Sequence, residues 1–266
     1  MFKNLFMILF RPQATVDRLL EERKSGQSWG ATWFLVGINL LCLAVVGIFF
    51  AIEFNELFEM ANQVALEPLD LTVLYVSMGI IGVFALVGIV LTYVLARFFF
   101  EWLVVLGLRM VAANEYPTDP AERLEKRRLL ALIQPYTAWI YVLASVITLP
   151  FITMFFDLSS FIDLVEQSEM GLLSDDELGA DFAMIIIKLI IWSAATQLLS
   201  LGLFVYMIIV RVLAIKKIYN ISGVKAFFGP FITYVILYFI LFALYLFFVI
   251  VVGFVSDPFL LDPRMV

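Results

Sequence analysis

Ser193, Thr196, Gln197 and Ser200 recur at i, i+3, i+4 and i+7 inside an apolar run, which places four polar side chains on one helical stripe. In lipid such a stripe must meet another helix or water. Interhelical hydrogen bonding is the simpler expectation, with Asn39 as partner, and a polar solute path is the alternative. Arg97 and Glu101, four residues apart in another apolar run, are expected to satisfy each other as an ion pair along a helix near a membrane interface. Tyr234, Tyr238, Leu241 and Tyr245 share one side of the last apolar run, where packing is favoured over a lipid-lining groove. Asp175, Asp176, Glu177 and Asp181 lack the spacing and glycine of an EF-hand loop and are read as a solvated face.

The remaining chemistry is sparse. Histidine is absent, which removes the commonest general base and zinc ligand. Cys42 is the single cysteine, lies in an apolar run and is read as a small buried hydrophobe. The sequence shows no phosphate-cradling glycine loop, no nucleophile with a base beside it and no paired intramembrane aspartates. It therefore predicts no catalytic residues, no cofactor and no metal.

The elements that position these residues follow from composition. A hydrophobic fraction of 64% and a mean hydropathy of +1.04 exceed what soluble domains carry and indicate an integral membrane protein of 266 residues. Charge is sorted along the chain: 15 of the 17 Lys and Arg fall in three segments read as inner, the exceptions being Lys188 and Arg264. Two segments read as outer loops, Glu53 to Asp70 and Asp157 to Asp181, contain acids and no base. Excess Lys and Arg marks the cytoplasmic side, so the N-terminus is placed inside. The net charge of −6 would ordinarily suggest repulsion from nucleic acid but means little when the two faces of a membrane see different segments, +7 inside and −13 outside; no nucleic acid is expected as a partner. The bases Arg123, Lys126, Arg127, Arg128, Lys216 and Lys217 form a candidate patch for lipid headgroups or a protein partner.

The resulting expectation is an all-α bundle of five transmembrane helices, with the N-terminus inside and the C-terminus outside. Residues 1–28 form an interfacial segment whose second helix, Thr15 to Lys24, buries Val16, Leu19 and Leu20 and stops near Gly26. The membrane domain occupies 29–256, with spans near 30–52, 71–96 with an extension to 111, 129–156, 182–210 and 231–255, and an outer tail follows over 257–266. Residues 112–128 are the main cytoplasmic loop. Pro135 and Pro150 are expected to kink or break the third span. Ser174 and Glu177 form a capping-box pattern at the start of the fourth. Gly37, Gly47, Gly79, Gly82 and Gly88 suggest close helix approach, and the two acidic loops are read as a folded outer cap.

Five spans, the lead-in Phe10-Arg11-Pro12-Gln13-Ala14-Thr15 with Leu19-Leu20-Glu21, the Gln134-Pro135-Tyr136 start of the third span and the stretch Asn220-Ile221-Ser222-Gly223-Val224-Lys225-Ala226 resemble the Yip-domain family, named for interaction with Ypt and Rab GTPases. The resemblance covers nearly the whole chain. The Asp-Leu-Tyr-Gly-Pro type signature and long soluble N-terminal region of eukaryotic members are missing, so the chain looks more like the compact prokaryotic type and GTPase binding is not carried over. The resemblance implies a non-enzymatic protein of the prokaryotic cytoplasmic membrane that scaffolds or assists another membrane complex in trafficking, export or toxic-peptide resistance. The alternatives are a transporter or channel-like subunit and a lipid-binding protein. Membrane lipids and another membrane protein or complex are the expected partners.

Overall fold

Among the described residues every regular element is an α-helix. The structure is a computed structural model that describes residues 1–23, 25–64, 71–155 and 175–256. In chain order the helices are α1 (Phe2–Phe10), α2 (Pro12–Glu22), α3 (Ser25–Val64), α4 (Leu71–Val111), α5 (Pro120–Phe155), α6 (Asp175–Tyr219) and α7 (Gly223–Ser256). The last five are long and apolar enough to cross a membrane, as the sequence predicts for a multi-pass integral membrane protein. The acidic stretch 156–174, the last part of the first acidic loop and the tail 257–266 lie outside the described residues. So do the side chains of Glu53, Glu56, Glu59, Asp175, Asp176, Glu177 and Asp181, and with them the expected acidic cap.

The helices outrun the bilayer. At ~1.5 Å per residue, the 41 residues of α4 extend about 60 Å, roughly twice a ~30 Å hydrocarbon core. The expected continuation of the second span is thus one uninterrupted helix. Two segments read as loops are also largely helical. The backbone of α3 runs on to Val64, and α5 begins at Pro120, which puts Arg123 to Arg128 on a helix. Asp119 explains that start: its carboxylate accepts from the amides of Ala121 and Glu122 at 3.3 and 3.2 Å, and Pro120 occupies the first turn, where its missing amide costs nothing. Residues 211–230 are interrupted only at 220–222. Asn220 takes a left-handed φ of 55° to end α6, and Ser222 caps α7 by accepting from the Lys225 amide at 3.3 Å.

The interfacial helices are present, with a different stop. Thr15, Val16 and Leu19 of α2 are buried, but the helix ends at Arg23 in a left-handed conformation (φ 48°), and Gly26 lies inside α3. Asn4 of α1 is buried and accepts from the Arg18 guanidinium at 3.1 Å, which clasps α1 to α2.

The prolines do not break α5, which contains both Pro135 and Pro150. Proline at 135 cannot donate to the Ala131 carbonyl. The Ser28 hydroxyl donates to that carbonyl at 3.1 Å instead, so a neighbouring span restores the lost hydrogen bond.

The buried core lies at the basic end. Leu5, Ile8, Val16 and Leu19 from α1 and α2 join Val104 and Leu108 of α4, Ile133, Tyr136 and Ile140 of α5, Val210 and Ile215 of α6, and Ala226 of α7. Helix α5 is central, packing against α1, α2, α3, α4 and α6, while α7 packs on α4 and α6. Towards the acidic end the apolar surfaces of α4, α6 and α7 are exposed within the chain, including Ile81, Phe84, Ile190, Leu198, Phe239 and Phe247. Hydrocarbon is the natural solvent for such surface. Close backbone contact occurs at neither Gly37, Gly47, Gly79, Gly82 nor Gly88, where an added Cβ would meet nothing within 4 Å. It occurs at Gly107 of α4, where a Cβ would run into the Gly229 carbonyl of α7.

Candidate functional site

A cavity of about 640 Å³ lies among α3, α4, α5 and α6. Its walls are largely apolar and include Ala85, Ile89, Ala138, Val142 and Phe204. Gly88 contributes a stretch of wall with no side chain. Its polar lining residues include Thr92 and Tyr141; Asn39 and Tyr93 join α3 to α4, and Gln134 and Arg211 line the cavity from α5 and α6. Asn39 Nδ2 donates to Tyr93 Oη at 2.7 Å and to the Leu35 carbonyl at 2.9 Å. Arg211 Nε donates to Thr137 Oγ1 at 3.2 Å, and its guanidinium lies 4.6 Å from the centre of the Phe100 ring. Thr137 in turn donates to the Gln134 carbonyl at 2.9 Å, so its hydroxyl can offer only lone pairs to Arg211.

Arg211 also lines a second cavity of about 330 Å³, with Phe100, Ile208, Phe227, Pro230 and Tyr234. The guanidinium thus stands between two membrane-level spaces. None of the ion pairs among the described residues includes it. A cation within an apolar segment is costly, and such residues usually face an internal partner or a polar path.

Arg97 departs from the expected ion pair with Glu101. It is 7% exposed and turns away from its own helix towards α3. One terminal nitrogen donates to Ser28 Oγ at 3.0 Å and to Thr32 Oγ1 at 3.2 Å, and the guanidinium lies 4.3 Å from the Trp29 ring centre. Glu101 approaches Arg127 instead, at 4.0 Å. The spacing of four residues permitted the intrahelical pair, but side chains of α3 and α5 packed against this turn offer both residues alternatives.

The basic patch is largely engaged within the chain. Lys126 pairs with Glu122 at 2.8 Å and lies over Tyr219, Lys217 pairs with Asp17, and Arg123 donates to the Pro117 carbonyl at 2.7 Å beside the Tyr116 ring. Tyr116 and Tyr219 stack at 5.9 Å, so these cations cover an aromatic pair. Arg128 and Lys216 stay exposed. The sequence showed the excess of bases but not the acids and rings that long-range folding brings to them.

The polar stripe of α6 bonds within its own helix. Thr196 Oγ1 donates to the Ser193 carbonyl at 3.0 Å, and Gln197 Nε2 donates to Ser193 Oγ at 3.1 Å. Asn39 is engaged by Tyr93, not by this stripe. Thr196, Gln197 and Ser200 face a shallow groove shared with Tyr141 and Phe204. Tyr234, Tyr238 and Tyr245 of α7 are all exposed. Arg211, Gln134 and Tyr93 were missed as a group because they come from three helices, although a lone arginine at the end of an apolar run is a signal in itself.

No family model, curated protein or solved structure matches the chain.

Proposed function

We propose that this protein binds an anionic amphiphile from the cytoplasmic leaflet, without catalysing its conversion. The observation that carries this reading is the four-span cavity, largely apolar along its walls and lined also by Gln134 and by Arg211, which has no carboxylate among the described ion pairs. Its volume lies within the ~300–1,000 Å³ of ordinary ligand sites. An acyl chain suits the walls, and a phosphate or carboxylate suits a guanidinium whose terminal nitrogens are left available by the single bond to Thr137. The basic end is assigned to the cytoplasm by the excess of Lys and Arg, and a prokaryotic cytoplasmic membrane is the proposed location.

Purification of the full chain in mild detergent, followed by mass spectrometry of retained lipid, tests the reading. Wild-type protein is expected to retain anionic lipid above its membrane abundance, and Gly88→Phe to exclude it, because the new ring enters open space. Equal retention by both proteins overturns the proposal.

A second reading, the Yip-like scaffold for another membrane complex, is favoured by α7. Tyr238 and Tyr245 are 65% and 62% exposed along a span, and hydroxyls there gain from a partner helix that can accept their protons. Cross-linking in native membranes from Tyr238 should then recover one protein reproducibly, and recovery of lipid alone rejects the scaffold.

A further inference from the structure

We propose that a second pocket, where the α2–α3 bend meets α5, binds a phosphate group. It encloses about 510 Å³ and shares no lining residue with the four-span cavity. Three guanidinium groups line it, from Arg23, Arg97 and Arg128, against the single carboxylate of Glu125. That carboxylate is already paired with Arg23. Beyond that pair the described lining carries two further formal positive charges, on the buried Arg97 and the exposed Arg128.

Arg97 has no carboxylate in direct contact among the described ion pairs, and Glu101, one turn along α4 and shared with Arg127, acts on it only at a distance. The Ser28 proton goes to the Ala131 carbonyl freed by Pro135, and the Thr32 proton goes to the Ser28 carbonyl at 3.1 Å. Both hydroxyls consequently present lone pairs to Arg97, and both accept from the same terminal nitrogen. The other terminal nitrogen and Nε are left for a ligand. The guanidinium also lies over the Trp29 ring, 4.3 Å from its centre, and its planar fork presents its free donors together. A fork of two N–H groups matches two phosphate oxygens, with Arg128 supplying a further cation across the pocket. Burying an arginine whose hydrogen bonds all go to neutral acceptors, with the nearest carboxylate shared with Arg127, is relieved when a counter-charge arrives, which is the energetic reason to expect an anion here. Trp29 and the exposed Trp33 mark this level as the membrane interface, where lipid phosphates lie and soluble phosphate also reaches.

Equilibrium binding to the full chain in nanodiscs tests the assignment, with radiolabelled phosphatidic acid in a phosphatidylcholine disc as one probe and inorganic phosphate over a pure phosphatidylcholine disc as the other. Binding of the first probe alone identifies a lipid headgroup as the source, and binding of the second identifies a free phosphate. Arg128→Gln, at an exposed position, is expected to weaken binding about tenfold, and Arg97→Lys to do the same by keeping charge while losing the fork. Lys3→Gln, an equal loss of charge outside the pocket, should leave binding unchanged. The proposal is overturned if neither probe binds, if Arg128→Gln and Arg97→Lys bind as wild type does, or if Lys3→Gln weakens binding equally. Exclusion of lipid by Gly88→Phe from the other cavity has no bearing on this result, so the two proposals fail separately.

Discussion

Arg97 and Arg211 meet the same physical problem on opposite flanks of α4. Phe100, which covers Arg211, is three residues from Arg97, so the two guanidinium groups lie within about one helical turn in depth. Each has an aromatic ring on one face and hydroxyl lone pairs at its edge, and neither has a carboxylate among the described ion pairs. The arrangement keeps a charge in the bundle without cancelling it. Arg211→Lys should retain the charge but lose the planar stack and the bond to Thr137, lowering the retention of anionic lipid about tenfold with little change in thermal stability. Arg211→Met should abolish that retention while leaving the protein folded, since an apolar side chain at this depth has no desolvation cost to offset. Lipid mass spectrometry and a melting curve on both variants check the pair, and an unchanged lipid complement in Arg211→Met rejects a binding role. Sequence made Arg97 visible as an intramembrane charge acting on Glu101, but not its direct hydrogen bonds, because those partners on α3 are 65 and 69 residues away in the chain.

At the scale of the helix, end signals decide what was legible. The five apolar runs announced themselves by length and hydropathy, and all five are helices. Their extensions did not, because Arg123 to Arg128 reads as a charged loop until Asp119-Pro120 is recognised as a cap, and Asn220 with Ser222 as a stop and a start. Ser222→Ala should destabilise the start of α7 by about 1 kcal/mol, measured by hydrogen exchange of the amides near Lys225. The glycines repeat the lesson. Small residues in the spans suggested close approach at five positions, yet the crossing of α4 on α7 falls at Gly107 and Gly229, outside those positions. Sequence cannot rank one glycine above another when the facing helix is unknown. Gly107→Ala places a methyl against the Gly229 carbonyl and 2.7 Å from Thr233 Oγ1, where backbone must move to admit it. Overpacking of this kind costs about 1 to 3 kcal/mol, so Gly107→Ala should melt well below wild type while Gly82→Ala melts with it. Equal melting temperatures would show that the crossing is looser than its geometry implies.

For the whole molecule, the separation of packed core from exposed apolar surface matters more than the number of spans. The core gathers around α1, α2 and the basic ends of α4 to α7, whereas the opposite halves of α4, α6 and α7 are apolar and unburied within the chain. A water-soluble protein could not leave that surface open, and a bilayer makes it inexpensive. Stability should therefore depend on the two short N-terminal helices out of proportion to their length. They pack against α5 and α6 within the same buried cluster as Ile133, Ile140 and Ile215, and Tyr206 donates to the Leu9 carbonyl at 2.8 Å from across the chain. Deleting residues 2–22 would open that core to headgroups and water, with a melting temperature lower by more than any single substitution proposed above produces. The same asymmetry fixes a topology test. With Cys42 replaced by alanine, a single cysteine at Ser222 should react with an impermeant thiol reagent only in inside-out vesicles, and one at Ser256 only in right-side-out vesicles. Labelling of both from one side would break the five-crossing arrangement itself, because positions at opposite ends of a single membrane-crossing α7 cannot share a compartment.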